Sequence, residues 1–291
     1  MRQGVTARHA IETIKERLSR VQDVQNVSTH GMLPQEANAA VTRAYHAWVD
    51  QTERQLRSLF ADRGTARDLV SPRYWGISQV AAATIAVRSM VTAEMEDQKE
   101  NLQAIIDSLA AFQHLAELDG DFFVLDTHVM LHFRRLDEIQ WGIEFDAKKV
   151  RLILPLAVID EMDTKTYAAN PKIAKRAGDR LRFLDRHIEA ATAPGGAVVR
   201  KDVTMEVLSD PAGHQRRSNV DAEILDRAEF LSAVVEKSTV VVVSGDRGMR
   251  VRGHPRGIKV IPLSDKWRLS LNDSPEALAA PVQGVQTPAG S

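Results

Sequence analysis

Residues 122–127 of the chain read Phe122-Phe123-Val124-Leu125-Asp126-Thr127, a short apolar run that ends in a carboxylate. A run of this kind is typical of a strand that is buried in a parallel sheet. An acid at its end would lie at the C-terminal edge of the sheet, where open α/β folds bind their ligands. The stretch therefore predicts an α/β fold and makes Asp126 the first candidate functional residue.

The patterns on either side of this stretch divide the chain into three regions. Residues 1–118 repeat apolar side chains at helical spacing, which predicts an all-helical N-terminal domain for interaction or dimerisation. Strand-like and helix-like segments alternate over residues 119–268, which favours a parallel sheet in a three-layer α/β/α domain. Residues 269–291 are rich in Ala, Pro, Gly and Gln without an apolar period, so we expect a flexible C-terminal tail.

Within the α/β region, β-branched and apolar runs predict five strands, and a polar connector is predicted at residues 62–76 of the helical region. The predicted strands are residues 122–127, 151–155, 198–208, 239–243 and 258–263.

Composition excludes several classes of function. The chain has 291 residues, with 44% hydrophobic and 26% charged, which favours a globular core. It has no cysteine, which excludes disulfides, a cysteine nucleophile and thiolate zinc sites. The net charge of -1 does not by itself indicate nucleic acid, and 5% aromatic residues argue against a stacking-rich single-strand binder. No run approaches the ~18 apolar residues of a membrane span, so we expect a soluble, cytoplasmic protein with no membrane partner.

Three further acids occur in contexts that match Asp126. Glu161 lies in the first turns of a helix after a strand and a proline, Asp221 opens a helix, and Asp246 follows a β-branched strand. Strand ends and the following helix starts share one edge of a parallel sheet, so the four acids can converge on one crevice. Converging carboxylates repel one another, and a hard divalent cation such as Mg²⁺ removes that conflict. Such a site can activate water for phosphodiester cleavage.

Each acid also has a structural interpretation. Asp and Glu are common in first helical turns because they cap the helix and meet its dipole, which would suffice for Asp221. Asp246 could be a turn residue. Glu161 stands between Asp160 and Asp163, and we expect one or two of these three to be ordinary solvated acids. The joint occurrence of the four acids in order is what favours a site.

The four motifs resemble those of the PIN-domain family of metal-dependent nucleases. The family pattern of a strand with Asp-Thr matches residues 124–127, and apolar-apolar-x-Glu-Leu-Asp matches residues 158–163, with Met for Leu. The pattern Asp-x-x-Ile-Leu matches residues 221–225, and an apolar strand followed by Ser-x-Asp matches residues 240–246. The likeness covers about residues 119–268, and it selects Glu161 over Asp160.

There are two departures from the family pattern. His128 stands where Asn or Ser is frequent, and it could either contact the site or make only a local bond. Ala222 stands where some members carry a second acid.

The resemblance implies a Mg²⁺- or Mn²⁺-dependent endoribonuclease that acts on single-stranded RNA, in a toxin or an RNA-processing role. It implies that Asp126, Asp221 and Asp246 hold the metal, directly or through water, and that Glu161 holds or orients a metal-bound water. Thr127 and Ser244 are implied as donors to those carboxylates.

A basic helix follows Glu161 and could contact the substrate. Lys172, Arg176 and Arg180 recur every four residues on one flank, which would suit contacts to phosphates. A solvated helix face is the alternative.

Two other functions stay open from the sequence. One is a non-catalytic scaffold of the same fold that binds RNA or protein, and the other is a structure-specific DNA nuclease. The apolar seams of the N-terminal helices would allow a homodimer, or the binding of a protein partner or inhibitor.

Overall fold

The structure is a computed structural model that describes residues 1–2, 4–60, 64–67, 69–80, 87–211 and 214–269. The predicted C-terminal tail, apart from residue 269, lies outside the described residues.

A six-stranded sheet forms the centre of the α/β region. Its strands are β1 (Asp121–Leu125), β2 (Val150–Pro155), β3 (Ala197–Arg200), β4 (Val203–Leu208), β5 (Val240–Val243) and β6 (Lys259–Ile261). They lie in the order β3-β4-β2-β1-β5-β6, and every neighbouring pair is parallel except β3 with β4. The predicted, mostly parallel sheet is therefore confirmed, with β1 between β2 and β5.

Residues 198–208, predicted as one extended strand, form a hairpin instead. Val198 pairs with Thr204 in the antiparallel β3–β4 ladder, and Asp202 between the strands has φ 61°. The prediction was wrong because alternating apolar residues look alike in one long strand and in two short ones.

Both faces of the sheet are covered. Phe122 and Phe123 point to opposite faces, yet both are buried, and the same holds for Val241 and Val242 of β5. The Phe123 ring stacks on Phe145, with 4.7 Å between ring centroids. Continuous apolar strands of this kind need a layer on each side, which explains the layered α/β/α architecture.

Seven helices accompany the strands in the described part of the α/β region. They are α8 (Thr127–His132), α9 (Trp141–Phe145), α10 (Leu156–Lys165), α11 (Pro171–Asp185), α12 (Ile188–Ala191), α13 (Val220–Val234) and α14 (Arg247–Gly253). Two 3-10 helices, His254–Arg256 and Asp265–Trp267, precede and follow β6.

The predicted helical region before the sheet is confirmed. Its described helices are α1 (Ala7–Ser19), α2 (Val21–Gln25), α3 (Pro34–Leu59), α4 (Gly64–Arg67), α5 (Pro72–Val80), α6 (Val87–Ala110) and α7 (Gln113–Glu117). The connector predicted at residues 62–76 is shorter than expected, because α4 and the first turn of α5 lie within it.

The helical region packs directly on the α/β region. The ring of Phe112 meets Phe230 of α13 edge to face, with 5.0 Å between ring centroids. His114 Nε2 lies 2.6 Å from an oxygen of Glu206 on β4. Buried side chains of both regions belong to one hydrophobic cluster, so the boundary at residue 118 stays a prediction.

None of the helices in the described ranges has both the length and the apolar character needed to cross a lipid bilayer.

Candidate active site

Asp126 lies at the C-terminal end of β1, where the chain turns into α8, and only 5% of the residue is exposed. The Ser244 hydroxyl donates to Asp126 Oδ2 over 2.5 Å, which holds the carboxylate in place. Burial raises the pKa of Asp126 to about 6; the Ser244 hydroxyl opposes this, and the charges of Asp221 and Glu161 add to it. A buried carboxylate with this environment is a marked departure from an ordinary turn residue.

Ser244 also organises the turn after β5. Its hydroxyl accepts a hydrogen bond from the Asp246 backbone amide at 3.0 Å while it donates to Asp126. Because β1 and β5 are neighbours, this one side chain joins the ends of two parallel strands. Asp246 then begins α14, and its Oδ1 accepts from the Gly248 backbone amide at 2.8 Å. Asp246 is therefore a residue of the turn that caps α14, and the same turn is joined to Asp126 through Ser244.

Asp221 lies in the first turn of α13. The helix is capped by Asn219, whose side chain accepts from the Ala222 backbone amide at 2.9 Å, so Asp221 is not the capping residue. Burial raises the pKa of Asp221; Arg252 opposes this, and Asp246 and Glu161 raise it further. Asp221 thus interacts electrostatically with acids from two other elements.

Glu161 completes the group from α10. It interacts electrostatically with both Asp126 and Asp221, whereas its neighbours turn away. Asp160 forms an ion pair with Arg216, and Asp163 is exposed. Glu161, rather than either neighbouring acid, therefore interacts with Asp126 and Asp221.

Few cations compensate this group. Among the described residues, Arg252 pairs with Asp221 and lies 3.8 Å from Asp246, and Lys165 lies 3.6 Å from Glu161. In the same part of the chain, Asp126 has no ion-pair partner. The four carboxylates come from the end of β1, the middle of α10 and the starts of α13 and α14. They are incompletely neutralised, and their oxygens are hard donors of the kind that Mg²⁺ and Mn²⁺ prefer.

The position of the group follows from the sheet order. The chain moves from β1 to β2 on one side, and β5 lies against β1 on the other. Asp126 follows β1 and Asp246 follows β5, and the strand order reverses between these two strands. The two acids therefore lie at the topological switch point of the sheet. Ligands of open α/β sheets bind in the crevice at this point.

Gly245 explains how a histidine comes to lie beside this turn. A Cβ atom at Gly245 would lie 2.6 Å from His128 Cε1, so only glycine lets the imidazole pack on the backbone. His128 stands next to His132, with 4.7 Å between ring centroids. Burial lowers the pKa of His128, as does Arg268, while Asp246 opposes the shift. The sequence left open whether His128 contacts the site or makes only a local bond, and the structure places its ring against the turn that precedes Asp246.

The hydroxyl of Thr127 does not donate to the acidic carboxylates, contrary to what the resemblance implied. Thr127 is buried, but its Oγ1 atom has no hydrogen-bond partner among the described residues. Of the two predicted donors to the carboxylates, Ser244 alone makes such a bond there.

Arg180 was wrongly predicted as a substrate contact. The residue is 5% exposed, its Nε donates to the Met130 carbonyl at 3.0 Å, and Nη2 donates to the Phe133 carbonyl at 2.6 Å. Burial lowers the pKa of Arg180 to about 10. The guanidinium satisfies carbonyls at the end of α8 and ties α11 to it, which is a structural role.

The other two predicted contacts lie in a cleft. Lys172 and Arg176 line a space of about 430 Å³ between α8 and the start of α11, and Lys165 lines it as well. Since Lys165 also reaches Glu161, the cleft adjoins the acidic group.

A second cluster, Asp210, His214 and Glu223, has ligand atoms within 4.8 Å of one another. His214 Nε2 lies 2.7 Å from Glu223 Oε1, and Arg227 Nε lies 3.3 Å from the same oxygen. Glu223 also accepts from the Arg217 backbone amide at 2.8 Å. With arginines already on its acids, this cluster is a salt-bridge network that anchors the loop preceding Asp221.

The sequence placed Arg252 in a basic cluster after Asp246 but did not predict its contacts with the acids, and it did not single out His132. Arg252 lies six residues after Asp246, which is not a spacing at which helical side chains face each other, so the sequence carried no local signal for this contact. His132 lies four residues after His128 on α8, a spacing that places both rings on one helix face.

Comparison with known proteins identifies the region that carries the site. The family model described as PIN domain matches residues 123–263, which contain all four acids. A solved structure, described as a domain of a functionally unknown protein from Methanocaldococcus jannaschii DSM 2661, is similar at 19% identity and a TM-score of 0.31. That likeness covers 50% of this chain and 91% of the other. No curated protein gives a significant match.

PIN domains are commonly nucleases and generally use divalent metals. The match, the sheet order and the four motifs agree, and residues 123–263 of this chain belong to the PIN domain family.

Proposed function

We propose that the chain is a Mg²⁺- or Mn²⁺-dependent endoribonuclease that hydrolyses phosphodiester bonds of single-stranded RNA in the cytoplasm. The observation that carries the proposal is the convergence of Asp126, Glu161, Asp221 and Asp246 at the switch point of the sheet. Carboxylates that raise one another's pKa cost stability unless they bind a cation, and this cost is typical of a functional site.

Each acid has a separate part in the proposal. Asp126 is held by Ser244 in one orientation and would be the most rigid metal ligand. Asp221 and Asp246 would bind from the other side, directly or through water. Glu161, on α10, would hold or orient the attacking water. A bound divalent cation would neutralise phosphate charge and lower the pKa of water.

Hydrolysis at this site balances without a further reactant. Water attacks the phosphorus, the bond to the 3′ oxygen breaks, and the products carry a 5′-phosphate and a 3′-hydroxyl. The buried edge beside Asp126 would exclude bulk water from one side of the reacting phosphate.

The charge around the acids supports a polyanionic substrate. Lys172 and Arg176 line the cleft that adjoins Glu161, and Arg247 and Arg250 are exposed on α14 beyond Asp246. Cations on both sides of a clustered carboxylate site suit a strand that runs across it.

The test is cleavage of a labelled mixed-sequence single-stranded RNA in Mg²⁺, Mn²⁺ or EDTA. Asp126→Asn and Glu161→Gln should each reduce the rate at least about 100-fold, because each removes a charge at the reacting phosphate. Asp163→Asn, on the same helix as Glu161 but exposed, is the matched control and should keep the wild-type rate.

The outcomes separate the rival functions. Turnover by Asp126→Asn equal to that of the wild type would overturn the site. RNA binding without cleavage would favour a non-catalytic module, and cleavage of branched or duplex DNA alone would favour a DNA nuclease.

A further inference from the structure

The cleft beside the acidic group has an apolar floor and a cationic rim. Leu131, Ala168 and Ile173 line it together with the His132 ring, and Lys172 and Arg176 lie along the start of α11. Its volume is about 430 Å³. Apolar and aromatic walls with a few cations are the chemistry of a small flat group that is linked to an anion.

Two contacts connect this cleft to the four acids. Lys165 lines the cleft and lies 3.6 Å from Glu161. His132 lines it as well, and its ring stands next to His128, which packs on Gly245 in the turn before Asp246. The cleft therefore adjoins the acidic group on the side formed by α8 and α10.

An exposed aromatic residue lies between two lining residues along the chain. Tyr167 is 86% exposed and stands between Lys165 and Ala168, both of which line the cleft. The backbone turns here, because the Tyr167 amide donates to the Thr164 carbonyl and the Ala168 amide donates to the Lys165 carbonyl. A large aromatic ring kept in water at the edge of a cationic cleft points to a stacking partner.

We propose that this cleft binds the unpaired base of one nucleotide next to the scissile phosphate, with Tyr167 and His132 as stacking partners. The inference rests on the proposed function and gives it a substrate requirement. Every base has a π-face, so stacking of this kind tolerates all sequences. Lys172 and Arg176 contact the phosphate of the same nucleotide and set its register.

Several features of the molecule support a base rather than another occupant. Burial lowers the pKa of His132 to about 4, so its ring is uncharged at pH 7 and offers a flat face. The volume of about 430 Å³ is in the range of a small-molecule site, which suits one base. One such platform also agrees with an aromatic content of only 5%. A base must therefore leave any pairing partner before its phosphate reaches the acids.

The first experiment scans an abasic nucleotide along an end-labelled RNA that the wild type cleaves. Cleavage should fall at the one phosphate whose adjoining nucleotide lacks its base, by roughly 5- to 150-fold, the range for loss of one stacked base. Tyr167→Ala should lower cleavage of intact RNA by a similar factor and remove the position-dependent fall. Tyr167→Phe should restore both, because the ring remains.

Val198→Ala is the matched control, since Val198 is also exposed (70%) but lies on the outer strand β3. It should behave as the wild type. Two results would overturn the proposal. One is an abasic nucleotide that lowers cleavage by the same factor in the wild type and in Tyr167→Ala, and the other is wild-type cleavage that does not depend on the position of the abasic nucleotide.

A second readout separates this proposal from the proposed function. The affinity of the wild type in EDTA for intact RNA and for fully abasic RNA of equal length is compared by fluorescence anisotropy. If the wild type binds abasic RNA more weakly than intact RNA, and Tyr167→Ala binds both equally, the proposed base-binding role of the cleft is supported even where no cleavage is found. Equal affinity of the wild type for both strands refutes the cleft whatever the catalytic result. Lys172→Ala and Arg176→Ala should each reduce the salt slope of binding by about 0.7.

Discussion

Replacing Asp126 by Asn should stabilise the metal-free protein while it abolishes metal binding and cleavage. The side chain is 5% exposed, and Asn keeps its shape and an oxygen that can accept the Ser244 hydroxyl. What Asn removes is a charge that burial, Asp221 and Glu161 all disfavour. The substitution therefore separates the cost of the site from its chemistry.

The magnitude follows from the pKa of Asp126. Its ordinary value is 3.8, and burial raises it to about 6 in the folded protein. The difference of about two pH units corresponds to about 3 kcal/mol. Between these two values the folded protein binds more protons than the unfolded chain, so stability falls as pH rises from about 4 through about 6. Below pH 4 the cost is absent, and above pH 6 it is complete.

The assay is urea unfolding of wild type and Asp126→Asn in EDTA at pH 4 and at pH 8. We expect the variant to gain up to about 3 kcal/mol over the wild type at pH 8 and little at pH 4. Adding Mn²⁺ at pH 8 should raise the stability of the wild type by RT ln(1 + [Mn²⁺]/Kd) and leave the variant unchanged. Asp163→Asn, exposed on α10, should follow the wild type under every condition.

One result would refute this reasoning. If the difference in free energy of unfolding between Asp126→Asn and the wild type does not grow between pH 4 and pH 8, ionisation of Asp126 does not destabilise the folded protein. The metal-free site would then not carry the cost that motivates metal binding.

Three further predictions concern residues whose contacts only the structure revealed. Arg180→Ala should lower the free energy of unfolding in urea by about 3 kcal/mol because two carbonyls lose their donor, whereas Arg182→Ala, exposed on the same helix, should change it by less than about 0.5 kcal/mol. Arg252→Ala should tighten Mn²⁺ binding several-fold by calorimetry because a competing cation leaves two of the acids; unchanged affinity in that variant, as in the control Arg250→Ala, would contradict this. Phe112→Ala should cost about 3–5 kcal/mol, and a smaller loss would mean that the helical region contributes little through its contact with α13.

Asp126, Asp221 and Asp246 could be proposed from their local context without a fold, whereas the choice of Glu161 over Asp160 came from the resemblance to the PIN-domain family. Asp126 directly follows an apolar strand, and Asp246 lies three residues after the end of another. Asp221 is the second residue of α13, and Glu161 is the sixth of the ten residues of α10. Parallel strands send all their C-terminal ends to one edge, so these local marks are enough to predict that the four acids meet.

The basic residues of α11 could not be sorted in this way. Lys172, Arg176 and Arg180 share one flank at a spacing of four, yet Arg180 is buried against α8 while the other two line the cleft. Helical spacing defines a flank but not the depth to which a neighbouring helix covers it. The hairpin of β3 and β4 escaped prediction for a related reason, because apolar alternation does not show where a strand reverses.

The sequence by itself determined which residues are acidic, apolar or capping, and thereby the α/β fold and the four carboxylates, because these depend on periods of two to four residues. Only the tertiary structure decided that Ser244 holds Asp126, that Arg252 pairs with Asp221, and that His132 and Arg176 line one cleft between α8 and α11. These features join residues that are distant in the chain, and their geometry arises from how whole elements pack.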